Sequence, residues 1–110
     1  MLNQIVVVGR IANDPVVKEI DDKKVSNITL AVSRPFKNSK GEYETDFLPV
    51  SLWNDIAENT AEYCKKGDLI AVKGRMQAKD NKLSIVAEKV SFLQSSYTKK
   101  DEIEEKDIKI

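Results

Sequence analysis

Phe47 and Trp53 are the residues most able to do chemistry with a flat partner. They share one parity in the stretch Asp46-Phe47-Leu48-Pro49-Val50-Ser51-Leu52-Trp53. Successive side chains of a strand point to opposite faces, so Leu48, Val50 and Leu52 form a core face and both rings fall on the outer one. Rings on an outer face call for a helix, another subunit or the π-face of a nucleobase. Phe36, in the polar loop Phe36-Lys37-Asn38-Ser39-Lys40-Gly41-Glu42, supplies a third ring. Lys73, Arg75 and Lys79 alternate along one face of a later strand, and Arg10, Arg34, Lys37 and Lys40 are expected on or near the same groove. Rings that stack on bases, beside cations that neutralise phosphates, are what a single-stranded nucleic-acid surface requires.

Each of these residues also has a plainer reading. A subunit or loop could cover Phe47 and Trp53, and Phe36 could plug a barrel end. Lys73, Arg75 and Lys79 could be a solvated sheet face, and Arg10 and Arg34 could be structural ion pairs. Tyr43 reads as hairpin packing, Tyr63 and Phe92 as core or interface, and Cys64 as a small core residue. Catalytic constellations are lacking. The chain has no His and one Cys, which argues against a His-dependent triad, a zinc site and an internal disulfide. No Asp/Glu pair has glycosidase or metal spacing, and Gly9, Gly41, Gly67 and Gly74 form no phosphate-cradling loop. The expectation is a non-enzyme without metal or cofactor.

The 110 residues suit one domain. Hydrophobic residues make up 41% and charged residues 33%, a globular composition. Basic and acidic residues are equal at 18 each, so net charge is no argument for nucleic-acid binding and only charge placement can be. No apolar run has the length of a membrane span, and Met1-Leu2-Asn3-Gln4-Ile5 does not read as a signal peptide. The expected location is cytoplasmic, at the nucleoid.

The elements that must position the rings follow from pattern. A first strand is expected from about Asn3 to Ala12, with a bend or bulge at Gly9 and a kink at Asn13-Asp14-Pro15. After the kink, Val16 to Ile20 can continue the strand. Asp21-Asp22-Lys23-Lys24 reads as a polar loop. Ser26 to Arg34 alternates cleanly and should end at Pro35. Tyr43 to Trp53 is the third strand, with an edge or bulge at Pro49. Asp55 to Cys64 reads as a short helix with a capping-box-like Asp55/Glu58 start, an inner stripe of Ala57, Thr60, Ala61 and Cys64, a basic end at Lys65-Lys66 and a stop at Gly67. Asp68 to Lys79 and Lys82 to Leu93 form a hairpin across the two-residue turn Asp80-Asn81. In the last strand Leu83, Ile85 and Ala87 lie on one face, and a parity change predicts a bulge near Glu88-Lys89. Residues 1–95 form the domain, and 96–110 read as a charged, disordered tail.

Three strands, a short helix and a two-stranded hairpin give an all-β fold with one helix. This is the order of a five-stranded OB-fold Greek-key barrel with the helix between strands 3 and 4. Its binding face lies on strands 2 and 3, where Phe47 and Trp53 fall.

With that order in place, the sequence resembles the bacterial-type single-stranded DNA-binding proteins. The resemblance is carried by Asn3-Gln4-Ile5-Val6-Val7-Val8-Gly9-Arg10-Ile11, Asp14-Pro15, Ile28-Thr29-Leu30-Ala31-Val32-Ser33-Arg34-Pro35-Phe36 and the Asp46–Trp53 stretch. Ala57-Glu58-Asn59, Tyr63-Cys64-Lys65-Lys66-Gly67, Val72-Lys73-Gly74-Arg75-Met76 and Ala87-Glu88-Lys89-Val90 complete it. It implies base stacking by Phe36, Phe47 and Trp53, and subunit pairing through the strand-1 edge at Ile5 to Val8. It also implies a homotetramer that wraps single-stranded DNA in replication, recombination and repair. Two features depart from the family pattern. The arm between strands 4 and 5 is only Lys79-Asp80-Asn81-Lys82, and the sequence ends Glu104-Glu105-Lys106-Asp107-Ile108-Lys109-Ile110 rather than in an acidic Pro-Phe tip that recruits replication proteins. The alternatives are an OB-fold protein–protein adaptor of a primosome-type complex and a single-stranded RNA binder.

Overall fold

The computed structural model describes residues 1–94; the expected tail, 96–110, lies outside them. The elements are β1 (Ile5–Ile11), β2 (Lys18–Ile20), β3 (Lys23–Lys37), β4 (Tyr43–Trp53), α1 (Asn54–Tyr63), β5 (Leu69–Lys79) and β6 (Lys82–Gln94). The sheet runs β1-β5-β6-β4-β3-β2, and a second pairing of β1 with β3 closes five of its strands into a barrel. Among the described residues only β4 and β6 pair in parallel, at Val50↔Ile85 and Ser51↔Val86. Inside lie Ile11, Ile28, Leu30, Val50, Leu52, Ile70, Val72, Ile85 and Ala87, and Ala57 and Cys64 join the same core from the helix side. This is the expected OB-type barrel with its helix ahead of the final hairpin.

The kink after β1 does what the turn signal suggests. β1 and β2 lie along the same edge of β3, in registers that differ by two residues. The offset is absorbed around Asn13-Asp14-Pro15, where the Asn13 amide bridges the gap in the ladder. Its Oδ1 accepts from the Thr29 N–H at 2.8 Å and its Nδ2 donates to the Asn27 carbonyl at 3.3 Å. Asn3 does the same at the other end of β1, exchanging two hydrogen bonds with the Met76 backbone at 2.8 and 2.9 Å. Both side chains stand in for a peptide group, so backbone donors and acceptors stay satisfied where a strand ends. Asp21-Asp22, expected as part of a loop, is a tight turn with φ of 50° and 63° joining β2 to β3. Asp80-Asn81 forms the expected turn of the same kind, φ 52° and 62°.

Several local expectations need correction. Pro35 does not end its strand. The pairing with β4 jumps from Ser33↔Thr45 to Lys37↔Tyr43, so Pro35 sits in a bulge where its missing N–H costs no ladder bond. Asp55 does not cap the helix. The N-cap position falls on Trp53, without a side-chain cap, and Glu58 pairs instead with Lys24 at 2.9 Å. Gly67 is not at C′ either. It lies in the turn closed by Asp68 N–H to Lys65 O at 3.0 Å, and its own N–H reaches Ile11 O at 2.7 Å, tying this turn to the end of β1. On the face that Leu83 shares with Ile85 and Ala87, the latter two are buried while Leu83, near the hairpin tip, is exposed.

Gly9 marks a close approach rather than a bend. A Cβ there would lie 2.7 Å from the Ala31 carbonyl oxygen, so only glycine lets β1 come against β3 to close the barrel. Gly74 serves β5 similarly against the Val86 carbonyl. The predicted bulge in β6 is present. Lys73 pairs with Lys89 and Gly74 with Ala87, leaving Glu88 as the extra residue. After it Val90 and Phe92 turn towards α1, where Phe92 meets Tyr63 with ring centroids 6.0 Å apart.

Candidate nucleic-acid interface

Alternation along β4 fixes the candidate surface. Its inward positions include Val50 and Leu52, both buried, while Phe47 is 63% exposed and Trp53 half-buried. Register with β3 sets Ala31 beside Phe47, Thr29 beside Pro49 and Asn27 beside Ser51. The outer face between the two rings is therefore made of small and polar side chains. Phe47 and Trp53 stand about 20 Å apart along the strand. A shallow pocket of Asn27, Thr29, Pro49, Ser51 and, from β6, Ser84 lies between them. The Trp53 Nε1–H donates to Ser51 Oγ at 3.2 Å, which orients the indole along this face.

Beyond the barrel, β3 and β4 continue as a hairpin that carries Phe36, also 63% exposed. Asn38 shapes its loop. The Asn38 N–H donates to Glu42 O at 2.8 Å and its carbonyl accepts from Gly41 N–H at 3.0 Å. Asn38 Oδ1 accepts from the N–H groups of Lys40 and Glu42 at 2.8 and 3.0 Å. Lys37 pairs with Tyr43 across the hairpin, its ammonium 5.8 Å from the ring centroid.

The expected cations divide into three groups. Arg34 is committed to carboxylates. Its guanidinium forks onto Asp46, with the shortest contact 2.9 Å, and reaches Glu44 at 2.8 Å. The hydrogen bond from Arg34 holds the Asp46 carboxyl below the usual carboxylate range, and the same contact raises Arg34. This is the structural ion-pair reading. Arg10, by contrast, donates to the Gly67 carbonyl at 3.0 Å and to Gln94 Oε1 at 3.2 Å, so these bonds leave its charge unneutralised. It sits in a row of outer-face positions, Arg10↔Ala31↔Phe47, one strand beyond β3. Lys37 and Lys40 belong to the hairpin.

The third group, Lys73, Arg75 and Lys79, is not next to the aromatic strand as expected, because β6 separates β5 from β4. Arg75 pairs with Val86 and Val86 with Ser51, which sets Arg75 about 10 Å from the candidate face, two strand spacings away. Lys73, two residues back on the same strand, pairs with Val6 of β1 and with Lys89 of β6, beyond the stretch of β6 that pairs with β4. Lys79 is at the end of the β5–β6 hairpin. Strand order, which a linear pattern does not carry, decides this difference.

An OB barrel whose strand-pair face bears spaced exposed rings flanked by uncommitted cations is a ligand-binding barrel of the kind that accommodates extended chains. Comparison with known proteins makes the assignment narrower. Residues 2–93 match the model of the single-strand binding protein family. The chain is 46% identical over 80 residues to single-stranded DNA-binding protein B of Bacillus subtilis, covering 72% of this chain and 71% of the relative. It is 44% identical over 105 residues to single-stranded DNA-binding protein 3 of Listeria innocua, covering 86% of this chain and 66% of the relative. Over 113 residues it is 37% identical to single-stranded DNA-binding protein 1 of Clostridium acetobutylicum, covering 93% of this chain and the whole of that protein. The crystal structure of the wild-type single-stranded DNA binding protein from Thermus aquaticus superposes with a TM-score of 0.70 at 28% identity, over 84% of this chain and 41% of that one. The chain belongs to the single-strand binding protein family.

Proposed function

We propose that this chain binds single-stranded DNA with little sequence preference and serves replication, recombination and repair. The observation that carries the reading is the outer face of β4. Phe47 is bare on a strand whose opposite face buries Val50 and Leu52 in the core, and Trp53 is oriented on the same face as Phe47 by Ser51. Family membership and the names of the relatives point to the same ligand.

In this reading bases stack on Phe36, Phe47 and Trp53, each platform contributing on the order of 1–3 kcal/mol. Arg10, Lys37 and Lys40 are the nearest phosphate contacts, with Arg75 and Lys79 reached by a strand that passes over β6. Lys73 serves only a longer, wrapped strand, and Arg34 acts by neutralising Glu44 and Asp46. The protein is a homo-oligomer, a homotetramer in the fullest form of the proposal. The free edge of β1 supports this. β1 pairs with β5 from Ile5 to Arg10 but with β3 only at Arg10 and Ile11, so among the described residues nothing lies across the remaining edge. No catalytic activity is assigned, and the site of action is the cytoplasmic nucleoid.

Titration with oligo(dT) at low salt tests the reading. Trp53 emission is expected to be quenched, with affinity falling steeply as salt rises. A folded protein whose emission and mobility are unchanged by oligo(dT) would refute it. Competition with a matched RNA oligomer separates DNA from RNA, because stacking alone does not sense the 2′-OH.

A further inference from the structure

We infer that Tyr43, with Lys37 seated on its ring, is a further base-stacking platform on the β3–β4 hairpin that carries Phe36, in line with Phe47 on β4. The inference rests on the function proposed above and deepens it. Tyr43 has the parity of Phe47 and Trp53, and its backbone is paired at Lys37↔Tyr43, so it belongs to the outer row of β4. The ring is 59% exposed, nearly as bare as Phe47. A tyrosine that merely packed its hairpin would be covered by it. The Lys37 ammonium lies 5.8 Å from the ring centroid. A ring with a cation against it and a large exposed area offers π-surface to a base and a positive charge to the adjoining phosphate.

The hairpin is also built in advance. Asn38 ties the loop through the N–H groups of Lys40 and Glu42, so the platform needs little ordering on binding. Charge is arranged to match. Glu44 and Asp46 have the opposite parity to Tyr43 and Phe47, and Arg34 holds both carboxylates. Arg34 offsets one of their two negative charges, and their parity holds them off the row of Tyr43 and Phe47. Tyr43 and Phe47 are four residues apart, about 13 Å along the strand. A short oligomer held between Phe47 and Trp53 does not reach Tyr43, whereas a longer one does.

The test compares wild type, Tyr43→Phe and Tyr43→Leu on a ladder of oligo(dT) lengths at fixed low salt, with thermal melts of each free protein. Tyr43→Leu is expected to bind the shortest oligomers as wild type does. It should lose about 5- to 150-fold on lengths that reach the hairpin, the span of one stacked base. Tyr43→Phe, which keeps the ring, should match wild type throughout. Lys37→Ala should reduce the salt slope by about one phosphate, most clearly on oligomers that reach the hairpin. The inference is overturned if Tyr43→Leu matches wild type at every length, or if it loses equally at every length with an unchanged melt. Wild type that binds no length fails the parent reading instead, a distinct result.

Discussion

The indole N–H of Trp53 donates to the hydroxyl of Ser51, two residues back on the same face of β4, at 3.2 Å. Ser51 Oγ lies 3.5 Å from the Ile85 carbonyl, so the contact links the ring to β6 as well as to its own strand. A half-buried aromatic ring is thereby given one orientation before any ligand arrives. Trp53→Ala should weaken oligo(dT) binding by about 1–3 kcal/mol, Trp53→Phe by less, and Ser51→Ala by less still. Equilibrium binding by anisotropy, with melts as control, checks the ranking. Ser51→Ala equal in effect to Trp53→Ala would mean that the hydroxyl itself, not the ring, is the contact.

The Arg34, Glu44 and Asp46 cluster carries a pH signature. The folded-state pKa of Asp46 is depressed by its hydrogen bond to Arg34. Its contribution to stability is therefore fully present above the unfolded carboxylate value of about 3.9 and lost as pH falls through the lower folded value. Carboxyl NMR titration should find Asp46 titrating below the usual carboxylate range, and Arg34→Gln should raise it. The same variant leaves two unneutralised carboxylates near the track and should weaken DNA binding, most at low salt.

Gly74 has no room for a side chain, since a Cβ would run into the Val86 carbonyl on β6. Gly74→Ala should destabilise the fold by about 1–3 kcal/mol or more by overpacking next to the Glu88 bulge. Urea unfolding measures this. A variant as stable as wild type would show that β6 shifts freely at the bulge.

Register predicts a length dependence for two neighbouring cations. Both lie on β5, but Arg75 is in line with Ser51 through Val86, whereas Lys73 is in line with Lys89, past the Glu88 bulge and beyond the β4–β6 pairing. Arg75→Ala should lower the salt slope already on oligomers of moderate length. Lys73→Ala should lower it only for those long enough to wrap. Equal slopes for both variants at all lengths would contradict the strand geometry as the determinant.

What the sequence showed of this fold is what local rules govern. The parity of Phe47 and Trp53, the bounds of β4, the tight turn at Asp80-Asn81 and the β6 bulge each follow from a few adjacent residues. What it did not show depends on partners distant in the chain. Asn3 and Asn13 look like ordinary polar residues until Met76 and the Asn27–Thr29 backbone are beside them. Pro35 looks like a stop until the bulge opposite Glu44 is seen. The cations of β5 look adjacent to the aromatic strand until the parallel β4–β6 pairing intervenes. The Asp21-Asp22 turn was within reach, because it has the same chemistry as Asp80-Asn81.

The open edge of β1 has a consequence for handling the protein. Ile5 to Val8 are four β-branched residues, with no proline or charge among them to block a stray strand. An isolated protomer thus presents a ready template for disordered sheet growth. Assembly with its own copies would cover this edge, and a lysine or proline placed within Ile5 to Val8 should block both that assembly and stray strand pairing.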